Sequence, residues 1–343
     1  MRRSMAGRHV FRIGYKASAE QFGAQDLLRY AIMAEKVGMD SVWVSDHFQP
    51  WRHTGGQAPF SLAWMGALGA LTERVLIGTS VLTPTFRYHP SIVAQAFATL
   101  GSLFPGRIAL GIGTGESLNE VPSSGIAWPD QKERTARFKE AFDLIKKLWN
   151  GERLTYRGQY YKTENATIYD RPEKPVPIYV AGAGPFMAKF AGENADGFIC
   201  TSGKPRELYT ETLLPNVGRG LEKTGRAPGA IDRLIEMKVS FDTDRERARN
   251  DTRFWGALAL KPDEKMNVED PLEMERLADA LPIERTVSRW IASADPQEIV
   301  DGIRPYAKLG FNHLVFHAPG PDQARFLDLF AGKVMPLLRR EFA

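Results

Sequence analysis

The chain has 343 residues, 43% of them hydrophobic and 25% charged, ordinary globular values that exclude wholesale disorder. Its net charge of +4, from 45 basic and 41 acidic residues, is small for this length, and the basic residues are scattered, which argues against a nucleic-acid partner. The single cysteine, Cys200, excludes an internal disulfide and a cysteine-based zinc site and suits the reducing cytoplasm.

In chain order, residues 1–8 read as a flexible leader, basic but without the apolar segment of a secretory signal. No apolar run reaches the roughly 18 residues of a membrane span. Short β-rich runs then alternate with longer amphipathic ones. A strand is expected at Val10–Tyr15 and a helix at Ala24–Gly38, with Gly38 as its stop. Strand Ser41–Ser45 leads to helix Ser61–Arg74, strand Val75–Thr79 to helix Pro90–Leu103, and strand Ile108–Ile112 to helix Lys132–Trp149. That last helix carries Phe138, Phe142, Ile145 and Leu148 at helical spacing, a core-facing stripe. Arg153–Tyr169 reads as a β-hairpin insertion. Further strands are expected at Ile178–Ala181, Gly197–Thr201, Glu236–Phe241 and His313–Phe316. Asp242–Ser288 is too long for a plain loop and is expected to carry extra helices over one end of the fold.

The strands are nearly continuous apolar runs, as in sheets buried on both faces. Eight strand–helix units favour a closed (β/α)₈ TIM barrel over an open doubly wound sheet. Residues 9–343 are thus expected to form one barrel domain, with insertions at 153–169 and 242–288 near the C-terminal face. In such barrels chemistry sits on the loops that follow the strands. Those loops contain SDHFQPW, TSVLTPTFRYHP, GIGTGESLNE, AGAGP and CTSGK.

GIGTGES lacks the third glycine of a dinucleotide fingerprint, because Glu116 occupies it. Its glycines serve either a tight strand exit or close backbone approach to a ligand. CTSGK is no P-loop, since Pro205 follows Lys204, but a lysine beside a helix start suits a phosphate. His313 and His317 lie on a strand without an H-E-x-x-H pattern, so no metal is expected. Asp46 beside His47 can set the imidazole's tautomer, which makes His47 a candidate base for a hydroxyl proton.

The stretches YKASAEQF, SDHFQPWRH, GTSVLTPTFRY, GTGESLNE, DGFICTSGK and NHLVFHAPG together resemble the actinobacterial F420-dependent glucose-6-phosphate dehydrogenases, within the bacterial luciferase-like superfamily of (β/α)₈ barrels. The resemblance spans about Gly14 to Arg340. It implies coenzyme F420, a hydride-accepting 5-deazaflavin, as cofactor. It implies glucose 6-phosphate as substrate, oxidised at C1 to 6-phosphogluconolactone, and a homodimer. His47 matches the family's base, Trp51 the indole at the reacting centre and Glu116 the acid near the ring's pyrimidine edge. Asp46, Thr83, Asn119, Ala181, Gly182 and Ala183 match cofactor-lining positions. Ser80 and Val81 match a non-prolyl cis peptide behind the ring. Thr201, Lys204, Lys265 and Arg289 match the pocket for the sugar phosphate. The chain departs from the pattern in a shorter loop after Asn119 and in Met266, where relatives can have histidine. Alternatives within the superfamily are an F420-dependent dehydrogenase of another alcohol and an FMN-dependent monooxygenase. A non-catalytic deazaflavin carrier is the alternative of another class.

Overall fold

The computed structural model describes residues 10–151, 153–266 and 268–343; the leader expected at residues 1–8 lies outside them. Among the described residues nine parallel strands occur in chain order: β1 (Arg12–Ala17), β2 (Ser41–Val44), β3 (Leu76–Thr79), β4 (Ile108–Ile112), β5 (Ile178–Ala181), β6 (Gly197–Thr201), β7 (Asp232–Phe241), β8 (Ile291–Ser293) and β9 (His313–His317). Strands β1 to β7 pair in sequence, β9 joins β7 to β1, and the ring of eight closes as a TIM barrel. The open-sheet alternative is thereby excluded. β8 lies outside the ring, pairing with the far end of β7, Val239–Phe241.

Three differences from the expected strands have physical causes. β1 begins two residues later than expected, because Val10 is 67% exposed and pairing with β9 starts at Arg12. β7 begins earlier, at Asp232, whose polar side chain hid the strand. That carboxylate closes the barrel's lower end. It accepts from Arg12 at 2.9 Å, Tyr179 at 2.8 Å, His313 at 3.1 Å and Asn312. β8 escaped notice because three residues carry too little pattern.

Alternation along the strands divides the apolar residues into two cores. Trp43, Ala109, Tyr179, Ile199, Leu234 and Val315 form the filling of the barrel itself. Trp43 is fully buried and meets Tyr179 edge-on at 4.9 Å. The larger core lies between strands and helices. Helix Pro90–Leu103 occupies its expected span, and Gln131–Trp149 buries Phe138, Phe142, Ile145 and Leu148 beneath an Asp130 cap that accepts from the Glu133 amide at 2.8 Å. Burying each such large side chain stabilises the fold by about 1.5–3 kcal/mol.

Arg153–Tyr169 forms an irregular antiparallel ladder, with Leu154 paired to Ala166 and Arg157 to Lys162. The segment after β7 carries short helices at Arg245–Asn250, Asp251–Ala259, Pro271–Asp279 and Ile283–Val287. Of these, Asp251–Ala259 helps the loops at the strands' C-terminal ends to wall a cavity, through Trp255 and Leu258.

Candidate active site

The cavity holds about 660 Å³ and opens at the C-terminal end of the barrel. His47 stands three residues beyond β2 and Glu20 three residues beyond β1, and the two meet. His47 Nε2 lies 3.3 Å from Glu20 Oε1. The ring's Nδ1 lies 3.1 Å from the Gln49 carbonyl and 3.1 Å from Asn119 Nδ2. Trp51 leans over the imidazole at 5.8 Å between centroids, and the Lys265 ammonium sits 4.8 Å above the indole. Burial alone would raise the Glu20 pKa; His47, Lys16 and the Ser45 hydroxyl outweigh it and hold the carboxyl below its ordinary value. Glu20 is therefore an anion buried against the candidate base.

Sequence reasoning missed Glu20, although it lies in the loop after β1. The rule that singled out the loop after β2 applies equally there.

The His47 loop is fixed from both sides. Asn119, 4% exposed, accepts the Phe48 and Gln49 amides at 2.9 and 3.1 Å. Asp46, equally buried, accepts from Ser61 at 2.6 Å, Tyr88 at 3.0 Å and Arg87 at 2.7 Å. Both residues line the cavity, but their polar atoms are largely spent on the loop itself. Arg52 and His53 tie the loop to helix Pro271–Asp279, through Arg52 to Glu275 at 2.8 Å and the His53 amide to Glu275 at 3.0 Å.

One wall is lined by Ser80, Val81, Thr83 and Gly113 to Glu116, and another by Ala181, Gly182, Ala183, Gly184 and Pro185. The Ser80–Val81 peptide is cis, and the Lys16 ammonium donates to the Ser80 carbonyl. Gly111 serves packing rather than a ligand, since a Cβ there would stand 1.8 Å from the Thr79 carbonyl. Glu116 is exposed at the rim, close enough to Lys265 to favour that ammonium's charged form.

Part of the cavity wall is cationic. Thr201, Lys204, Lys265 and Arg289 all line it. The β6 loop that carries Thr201 and Lys204 is clamped. Tyr209 Oη donates to the Thr201 carbonyl at 2.8 Å, Gly203 N donates to Tyr306 Oη at 3.2 Å, and Arg289 donates to the Gly203 carbonyl. Gly203 adopts φ +72°, where a Cβ would also meet the Arg289 carbonyl at 2.7 Å, so only glycine suits this turn. Partial burial, then repulsion from Arg289, Lys265 and Lys238, pushes Lys204 down to about 8. Burial also lowers the Lys265 and Arg289 pKa values. Lys238, inside β7 and 3% exposed, is a further cation that the pattern of an apolar strand concealed. Lys204 and Arg289, which repel one another and have no acidic partner among the described residues, mark this wall as an anion site.

A model of luciferase-like monooxygenases matches residues 7–313. The chain belongs to the luciferase-like family. Within that family it is 65% identical over 328 residues to an F420-dependent glucose-6-phosphate dehydrogenase of Nakamurella multipartita, covering 96% of either chain. It is 62% identical to the enzyme of the same name from Beutenbergia cavernae, covering 96% of this chain and 98% of that one. Among solved structures, an F420-dependent secondary alcohol dehydrogenase in complex with an F420–acetone adduct superposes with a TM-score of 0.90 at 34% identity, covering 96% of this chain and 99% of that one.

Proposed function

We propose that this luciferase-like chain is an F420-dependent glucose-6-phosphate dehydrogenase, oxidising C1 of glucose 6-phosphate to give 6-phosphogluconolactone. One juxtaposition carries this reading: a single cavity is lined both by a histidine–carboxylate pair and by a cationic cluster. The identity of its relatives names the cofactor and the sugar.

The cavity suits F420. Small residues at Ala181 to Gly184 and the Val81–Thr83 wall leave a broad slot, and the amides before helix Pro185–Asn194 favour a phosphate. Ser80, Val81, Thr83, Ala181, Gly182 and Ala183 line that slot, while Asp46 and Asn119 fix its His47 edge. The bound deazaflavin supplies the hydride acceptor, at its C5.

Thr201, Lys204, Lys265 and Arg289 bind the phosphate and so orient the sugar's C1 beside His47. His47 Nε2 takes the C1 hydroxyl proton. The Glu20 carboxylate at 3.3 Å then stabilises the imidazolium. Trp51 shields the reacting end from water, and Glu116 supplies an acid on the opposite rim. The reading includes a cytoplasmic homodimer. Its support is the lone buried cysteine and the family resemblance. No helix among the described residues is long and apolar enough to cross a membrane.

Replacing Lys265 or Arg289 by alanine tests the phosphate role. The KM for glucose 6-phosphate should rise at least tenfold, as expected when a charge-assisted bond is lost, while weak turnover of unphosphorylated glucose is unaffected. Equal losses on both sugars would contradict the assignment.

A further inference from the structure

The cavity floor contains side chains that the reaction above does not use. His317 ends β9 and faces inward, as do His313 and Val315 at alternate positions of that strand. It is 2% exposed and lines the cavity. Trp255 meets its ring edge-on at 4.4 Å between centroids and Trp290 at 5.0 Å, so the imidazole is held in one orientation. Among the described residues neither ring nitrogen has a hydrogen-bond partner. Glu236 Oε1 lies 3.4 Å from Nδ1, an ion-pair distance without hydrogen-bond alignment.

The neighbouring buried histidine is different. His313 bonds Ser41 Oγ at 2.7 Å through Nε2 and Asp232 at 3.1 Å through Nδ1. That is how a structural imidazole is satisfied. A buried polar side chain left unpaired on a cavity wall asks for a partner from the cavity. Burial, with Lys238 and Lys16 acting in the same sense against the pull of Glu236, holds the His317 pKa below its ordinary value. The ring is then neutral at pH 7, with one donor and one acceptor. Beside it, Lys238 Nζ has Glu236 at 3.2 Å as its hydrogen-bond partner and retains donors to spare.

We infer that His317, with Lys238 beside it, recognises a ring hydroxyl of the phosphosugar and makes the site selective for the fully hydroxylated hexose. The inference rests on the phosphosugar reading of this cavity. With the phosphate on Lys204, Lys265 and Arg289 and C1 beside His47, the ring hydroxyls are left to the remaining lining, which includes His317 and Lys238. His317 accepts the hydroxyl proton on one nitrogen, and the Lys238 ammonium donates to a hydroxyl oxygen. A site built to bond a hydroxyl discriminates strongly against analogues that lack it, because its own buried groups are then left unpaired.

His317→Phe keeps an aromatic ring between the two indoles and removes both nitrogens. The measurement is kcat/KM of wild type and variant with glucose 6-phosphate and with its 2-deoxy, 3-deoxy and 4-deoxy analogues. The variant should lose about 10- to 100-fold on glucose 6-phosphate, the range for one buried hydrogen bond. On one of the analogues it should lose almost nothing, since wild type already lacks the bond there. His317→Gln, which can donate and accept, should recover part of the loss. An unchanged F420 Kd in both variants reports an intact barrel. Equal losses on all four sugars, or none on glucose 6-phosphate, would overturn the assignment of His317 alone. A wild-type protein that fails to reduce F420 with glucose 6-phosphate would overturn the phosphosugar reading, and this inference with it.

Discussion

Glu20 and His47 meet because each arrives three residues beyond the end of one of two neighbouring parallel strands. The carboxylate is buried and held ionised, so it favours a charged imidazole in the transition state more than a neutral one before it. His47→Ala should lower kcat by about 10²–10⁴-fold, the usual worth of a positioned base, with the F420 Kd almost unchanged. Glu20→Gln removes the charge but keeps the shape, and should lower kcat while leaving KM nearly constant. Stopped-flow reduction of F420 measures both, and unaltered turnover in either would contradict the pairing. At this scale the sequence was half legible. His47 stood out because Asp46, Trp51 and Arg52 crowd the same loop. Glu20 had no reactive neighbours to draw attention to it. Lys238 and Glu236 were hidden because inward-facing polar residues interrupt a strand that otherwise reads as an apolar run, and His317 was weighed only as a metal ligand.

The loop after β6 shows how an element sets the chemistry of its side chains. Its turn needs Gly203, two tyrosines clamp its backbone, and Lys204 is thereby held opposite Arg289 and Lys265. The low Lys204 pKa of about 8 has a definite pH consequence. Below it the ammonium is charged and attracts phosphate; above it the charge is lost and the attraction weakens. Sugar phosphates become dianions above a pKa of about 6. The kcat/KM for glucose 6-phosphate should therefore rise to a plateau near neutrality and fall again above pH 8 or so. Lys204→Arg, charged throughout, should move that alkaline limb upward. A profile of the variant that superposes on wild type would contradict the charge assignment. Spacing could not unite Lys204, Lys265 and Arg289, because Lys204 follows β6, Lys265 lies within the long insertion after β7 and Arg289 follows that insertion. Family resemblance united them, and the cavity brings them to one wall.

Across the whole molecule, the barrel is polar at both ends and apolar in the middle. The lower end depends on Asp232. Burial would raise its pKa, but His313, Arg12 and Tyr179 hold the carboxyl well below its ordinary range. A depressed folded pKa stabilises above the unfolded value of about 3.9, and that contribution is lost as pH falls towards the folded pKa. Asp232→Asn should cost about 3 kcal/mol at pH 7, the lower end for breaking a buried pair. The gap between wild type and variant in denaturant unfolding should narrow below pH 4 or so. A gap independent of pH would show that the charge is immaterial. The strand–helix alternation made the barrel legible, because eight apolar strands flanked by amphipathic helices have few other ways to bury both faces. The short β8 and the polar start of β7 lacked that pattern.

Mixing the protein with oxidised F420 and glucose 6-phosphate and following the deazaflavin absorbance tests cofactor, substrate and catalysis together. Bleaching is expected that needs the phosphorylated sugar, with FMN unable to replace F420. Unchanged absorbance, or equal bleaching with glucose, would contradict the proposed function.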